Sequence, residues 1–231
     1  MIFLRSILFY IGEALSTIPF VMIAAVAVFC RPRTRSRMIA GWAIFVTWWL
    51  RLTTGLKHDI QGMGNLPDEP CVIACAHQST WETIATQTFL PPLAWVLKKE
   101  LFRIPLFGWG LWATRPIAID RSDHKNALDQ VVEQGAEKLL EGRYVLIFPQ
   151  GTRTPYGESG RYKKGAAKLA MFSNVPIVPV AHNAGKFWSN KSLWIQPGTI
   201  QCVFGEPIQI DGKSDEELTI EIQNWIEAQD L

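Results

Sequence analysis

Cysteine is scarce in this chain, net charge is almost absent, and neither internal repeats nor low-complexity stretches occur. The four cysteines among 231 residues (Cys30, Cys71, Cys75, Cys202) make no disulfide framework, which excludes a small stapled secreted scaffold. Cys71 and Cys75 lack the spacing of a zinc knuckle, so no metal site is expected. Buried free thiols in a domain facing a reducing compartment are expected instead. With 23 Lys and Arg against 21 Asp and Glu, the net charge of +2 sets up no field for nucleic acid as a partner. No small-residue cleavage signature follows the first apolar run, which argues against a cleaved signal peptide.

Apolar and indole side chains are plentiful. Hydrophobic residues make up 48% of the chain, mean hydropathy is +0.08, and there are 10 tryptophans. Several of these cluster beside the N-terminal apolar segments, as at a membrane interface. Ala14 to Cys30 is an apolar run reaching roughly 25 Å, short of the ~30 Å hydrocarbon core. Starting at Ile2 would give enough length but would put Glu13 in or near lipid. Arg31, Arg33, Arg35 and Arg37 follow and mark that end as cytoplasmic. Met38 to Leu56, with Trp42, Phe45, Trp48 and Trp49 in helical period, suits an amphipathic interfacial helix. Two arrangements stay open: one tilted span, or a two-helix hairpin dipping into one leaflet. Residues 1–56 are thus read as membrane-associated helices.

Residues 57–231 alternate short apolar runs with helical periods. Strands are expected at His58–Gly62, Cys71–Ala76, Ala94–Leu97, Tyr144–Phe148, Val175–Ala181 and Gln201–Phe204. Helices are expected at Ser79–Phe89, Asn126–Glu141, Lys163–Phe172 and Asp215–Ala228. This order predicts an α/β fold, a central mixed sheet flanked by helices, with the N-terminal helical segment as membrane anchor. Pro176 and Pro179 predict an edge or bulged position for their strand.

One pair of residues carries candidate chemistry. His77 ends the run Cys71–Ala76, and Glu82 follows five positions later, about 500° around a straight helix. The side chains can meet only if His77 lies in the turn before the helix. There an imidazole oriented by a carboxylate is a general base toward a hydroxyl. Ser79-x-x-Glu82 equally fits a capping box, in which Glu82 serves a backbone N–H and His77 is a buried histidine with its bonds satisfied. Spacing alone leaves both readings open. Ser79 does not sit in a nucleophile elbow.

His77-Gln78-Ser79-Thr80-Trp81-Glu82 resembles the first block of the glycerolipid acyltransferase family, a histidine, four residues, then an acidic residue. Ile117-Ala118-Ile119-Asp120-Arg121 resembles the second block, Phe148-Pro149-Gln150-Gly151-Thr152-Arg153 the third, and Val175 to Val180 the fourth. They occur in the family's order between about residues 71 and 181. The resemblance implies that His77 deprotonates a lysophospholipid hydroxyl, which attacks the thioester of acyl-CoA or an acyl carrier protein. Glu82 would hold the imidazole, and Lys98, Arg121 and Arg153 would bind the acceptor's phosphate. Gly151 and Thr152 would let backbone and hydroxyl groups approach its oxygens. No cofactor beyond the thioester co-substrate is implied. The expected partners are membrane lipid, a lysophospholipid such as 1-acylglycerol-3-phosphate, and the thioester donor. The expected location is a bacterial inner membrane, with the catalytic domain facing the cytoplasm.

The chain departs from the family pattern in places. Glu82 stands for the usual aspartate, Gln150 for the third block's glutamate, and Arg115 and Ala118 for Gly and Phe around the second block. The loss of charge at Gln150 puts the acceptor in question, so another lysolipid, such as a lyso-aminolipid, or a non-catalytic lipid-binding relative are the alternative readings.

Overall fold

Two long helices precede the sheet and pack against each other. The computed structural model describes residues 1–90, 92–120, 122–123 and 126–231, without the side chains of Pro32 and Arg33. Helix α1 (Ile2–Ala27) starts well before the strongest apolar run, and α2 (Pro32–Thr54) returns antiparallel beside it. Trp42 and Trp49 do not face an interface as their period suggested. Trp42 Nε1 donates to Ser16 Oγ, and Trp49 Nε1 donates to the carbonyls of Leu8 and Phe9. Arg35 turns inward too, donating to the carbonyls of Ala27, Val28 and Cys30 at the end of α1. A guanidinium is well placed there, since the last carbonyls of a helix lack partners in the helix itself.

The faces of α1 differ sharply. Ser6, Phe9, Phe20, Ala24 and Ala27 are buried. Leu4, Leu8, Ile11, Leu15, Ile18 and Met22 are exposed and recur every three or four residues, one continuous apolar stripe. The inner face joins the body: Phe9 meets Trp188 edge-on at 5.3 Å, and Ser6 Oγ accepts the Ile195 N–H.

The body alternates β1 (Leu56–Gln61), β2 (Val72–Cys75), α3 (Trp81–Phe89), β3 (Leu93–Lys98), α4 (Phe107–Ala113), β4 (Ile117–Ile119), α5 (Ala127–Leu140), β5 (Tyr144–Ile147), α6 (Gly165–Ser173), β6 (Ile177–His182), the short α7 (Ala184–Phe187), β7 (Gly198–Phe204) and α8 (Asp215–Glu227). The strands form one sheet ordered β1-β7-β6-β2-β5-β3-β4. Its pairs are parallel except β6 with β7, so the sheet is mixed, as expected. Fully buried β2 (Val-Ile-Ala-Cys) lies near its middle, which explains its unbroken apolar run. One face packs on α1, α2 and α3 through Phe9, Val46, Trp81 and Ile84. The other packs on α5, α6 and α8 through Val131, Leu169 and Ile222.

The expected edge or bulged position of the strand prolines is met in its second form, and α4 and β4 went unanticipated. Pro179 does not lie on an edge strand, because β6 is flanked by β2 and β7. The bulge alternative is the one found. Val180 pairs Phe204 while Ile177 pairs Ile208, so three steps on β6 face four on the other chain segment. The missing proline N–H falls where the ladder is already interrupted. Helix α4 and strand β4 carry no strong periodic signal and were not expected as elements. Gly110 lets α4 approach closely, since a Cβ there would collide with the Phe20 ring of α1.

Candidate active site

Helix α3, following β2, packs on the hairpin side of the sheet, and α6, following β5, packs on the opposite side. Between the carboxyl ends of β2 and β5 the chain therefore splits, which in open α/β sheets is where ligands settle. His77 lies in that split, in the turn between β2 and α3. The Thr154 N–H donates to the His77 carbonyl at 2.8 Å and ties this turn to the loop after β5.

His77 Nδ1 lies 2.8 Å from Glu82 Oε1. The same oxygen accepts the backbone N–H groups of Gln78 at 2.9 Å and Ser79 at 2.8 Å. The carboxylate thus serves backbone N–H groups at the helix start and the imidazole together, which keeps one half of the capping-box reading. Ser79 is not the helix cap expected. Thr80 occupies the cap position, and buried Ser79 Oγ accepts from Trp81 N. A carboxylate offers only lone pairs, so the shared proton sits on Nδ1 and Nε2 keeps a lone pair. The ring is held flat by Phe148, 4.1 Å between centroids and 16° from parallel.

Glu82 is fully buried. Burial alone raises its pKa, but the His182 ring, the His77 hydrogen bond and charge, and the Ser79 N–H outweigh it and hold the carboxyl below its ordinary range. His182 was not singled out from the sequence. Its only cue is its place two residues past the fourth block.

His77 opens onto a cavity of about 430 Å³ lined by α1, α2, α3, β3 and α4, including Trp42, Ile84, Leu97 and Phe107. This is a mostly apolar trough with a few polar groups, the usual make-up of a small-molecule site. Lys98 and Arg153 line it, so the structure brings two of the expected basic residues to the histidine. Lys98 also pairs with Glu100 at 3.4 Å. The Arg121 assignment lies outside the described residues. Glu13, feared to be in lipid, lines the same cavity; burial lifts its carboxyl to about 7.

The third block divides. Arg153 faces the His77 cavity, but Gln150 turns into a separate polar cavity of about 380 Å³ and donates to Tyr162 Oη at 3.1 Å. Gly151 adopts φ 70°, the left-handed conformation that makes the turn; a Cβ there would also press on Lys163. Thr152 is exposed. Buried Arg143, also not anticipated, donates to the carbonyls of Leu93, Thr114 and Arg115 and fastens the amino ends of β3 and β4, at the opposite end of the sheet from His77.

These features define a site at the carboxyl ends of the central strands, with an oriented histidine, two basic side chains and an apolar trough. Residues 57–183 match the family profile described as Acyltransferase. A 1-acyl-sn-glycerol-3-phosphate acyltransferase of Pseudomonas aeruginosa is 41% identical over 231 residues, covering 96% of this chain and 89% of that one. Human 1-acyl-sn-glycerol-3-phosphate acyltransferase beta is 28% identical over 90% of this chain and 77% of its own. The crystal structure of the 1-acyl-sn-glycerophosphate acyltransferase from Thermotoga maritima shares the fold with a TM-score of 0.69 over 94% of both chains, at 22% identity. The chain belongs to the acyltransferase family and is an enzyme of that class.

Proposed function

We propose that the enzyme moves a fatty acyl group from acyl-CoA or acyl carrier protein to the free hydroxyl of 1-acylglycerol-3-phosphate, forming phosphatidic acid for phospholipid synthesis. The observation that carries this reading is the lone pair of His77 Nε2 at the wall of an apolar cavity, with Nδ1 tied to buried Glu82. The acceptor hydroxyl gives its proton to Nε2 as its oxygen attacks the thioester carbonyl. Glu82 stabilises the resulting imidazolium. Collapse of the tetrahedral intermediate expels the thiolate, which takes the proton back from Nε2. Attack is direct: Ser79 Oγ is buried and engaged with Trp81 N, so it offers no nucleophile.

Lys98 and Arg153 would hold the acceptor's phosphate, joined by Arg121 on the strength of the family block, with Gly151 and Thr152 shaping the loop. Gln150 bears less on the acceptor than its sequence position implied. It faces Tyr162 in the other cavity, so no charge is removed from the His77 cavity by its being neutral. That favours the phosphate-bearing acceptor over a lyso-aminolipid. The exposed stripe of α1 would lie in the cytoplasmic leaflet of a bacterial inner membrane, with the hairpin not crossing it, since the opposite face of α1 is committed to the body.

The test is a panel of lysolipids offered to the purified full chain with each thioester donor in turn, products read by mass. Phosphatidic acid should dominate. Efficient acylation of a lyso-aminolipid with none of 1-acylglycerol-3-phosphate would overturn the acceptor.

A further inference from the structure

The fourth block has no role in the mechanism above, yet its strand β6 ends at His182, directly behind Glu82. His182 is completely enclosed. Its Nε2 lies 2.9 Å from the carbonyl of Ala76, the residue before His77, and its Nδ1 accepts the Ala184 N–H at 3.2 Å. A carbonyl can only accept and an amide N–H only donate, so the ring is neutral with its proton on Nε2. That N–H end also lies 3.8 Å from Glu82 Oε2. Oε2 is the oxygen left over: Oε1 serves His77, Gln78 and Ser79, while Oε2 has no hydrogen-bond partner among the described residues. Trp81 closes the other side, edge-on to His182 at 5.5 Å. The same segment reaches past His77 a second time, where the Gly185 N–H donates to Gln78 Oε1 at 3.1 Å.

We infer that His182 is a positioning residue for the reaction: its Nε2–H holds the peptide before His77 and presents a positive dipole to the second oxygen of Glu82, keeping that carboxyl ionised. This rests on the reading of His77 as base. A buried carboxylate oxygen without a hydrogen bond is costly unless a positive group lies near, and here the imidazole supplies it at slightly longer range. The other titratable groups around the pair are His77, Cys75 of β2 and Cys202 of β7. Burial pushes both thiols up, so they stay neutral. His58 of β1 meets Trp81 rather than the pair. Burial also pushes the His182 ring down against the pull of Glu82, which keeps it uncharged in the working range.

The test compares wild type with His182→Leu, His182→Gln and His77→Ala in the full chain, measuring kcat, both KM values and the acid limb of the kcat profile. Loss of the dipole destabilises the anionic His77–Glu82 pair, so its apparent pKa rises. His182→Leu should lower kcat about tenfold at neutral pH and move the acid limb to higher pH, with both KM values little changed. His182→Gln, which keeps an N–H for Ala76, should recover most of the rate. If His182→Leu leaves rate and limb unmoved, or lowers the rate with an unmoved limb and no rescue by Gln, the inference fails. If His77→Ala keeps its turnover, the base assignment itself fails, a separate outcome. Nitrogen-15 histidine spectra of the wild-type protein give a check that needs no folded variant. His182 should remain neutral, protonated on Nε2, across the acid limb; a doubly protonated His182 there overturns the inference.

Discussion

Glu82, behind His77, and Glu13, in the wall of the cavity His77 opens onto, are both glutamates withdrawn from water, and their carboxyls shift in opposite directions. Glu82 receives three hydrogen bonds on one oxygen and a histidine behind the other, and is held below the ordinary carboxylate range. Glu13 has no side-chain hydrogen bond among the described residues, and burial lifts it to about 7. Burial alone therefore does not decide whether a carboxyl stays charged; the donors aimed at it do. An anion beside His77 is what a general base needs. A carboxyl that takes up its proton more readily is what an apolar wall favours.

Replacing His77 by Ala removes the group that the Glu82 anion serves, and kcat should fall about a thousandfold with the thioester KM unchanged; near-normal turnover would remove the base from the mechanism. Arg153→Ala leaves the pair intact and should raise the acceptor KM roughly tenfold. A change confined to the donor KM would assign Arg153 to the thioester instead. Charging the outer stripe of α1, with Leu8, Ile11 and Leu15 all changed to Asp, should cut recovery with floated vesicles severalfold. Unaltered flotation would place the membrane surface elsewhere.

The smallest effect belongs to Glu13. Its pKa is raised by folding, from 4.5 to about 7. Its contribution to stability is thus fully present below its unfolded pKa and is lost as pH rises through the folded one. Unfolding midpoints of the wild type should fall between pH 4.5 and 7, whereas Glu13→Gln should flatten that part of the profile. An identical slope in both proteins would mean that Glu13 is hydrated.

Much of the fold was legible because β2, β5, α5 and α8 have unbroken apolar or helical periods set by what they pack against. Helix α4 was not: it has seven residues, two of them glycine, and it is shaped by contact with Phe20 rather than by its own propensity. At the site, the His77–Glu82 pairing needed only the turn geometry, and Lys98 and Arg153 followed from the blocks. Residues whose meaning depends on distant strands were harder. Gln150 is next to Gly151 in the chain but points to the other cavity, and His182 meets Glu82 only because β6 crosses to lie beside β2. The indoles of Trp42 and Trp49 misled for the same reason, since a partner helix satisfies them from within.

Glu82→Gln separates the two duties of Glu82 most directly. The amide oxygen still accepts from Gln78 and Ser79, so the helix start and the unfolding midpoint should change little, while the charge behind His77 is gone. A folded protein is expected, with kcat lowered at least about a hundredfold. A folded Glu82→Gln enzyme with wild-type kcat would contradict that expectation, leaving Glu82 as a helix cap alone.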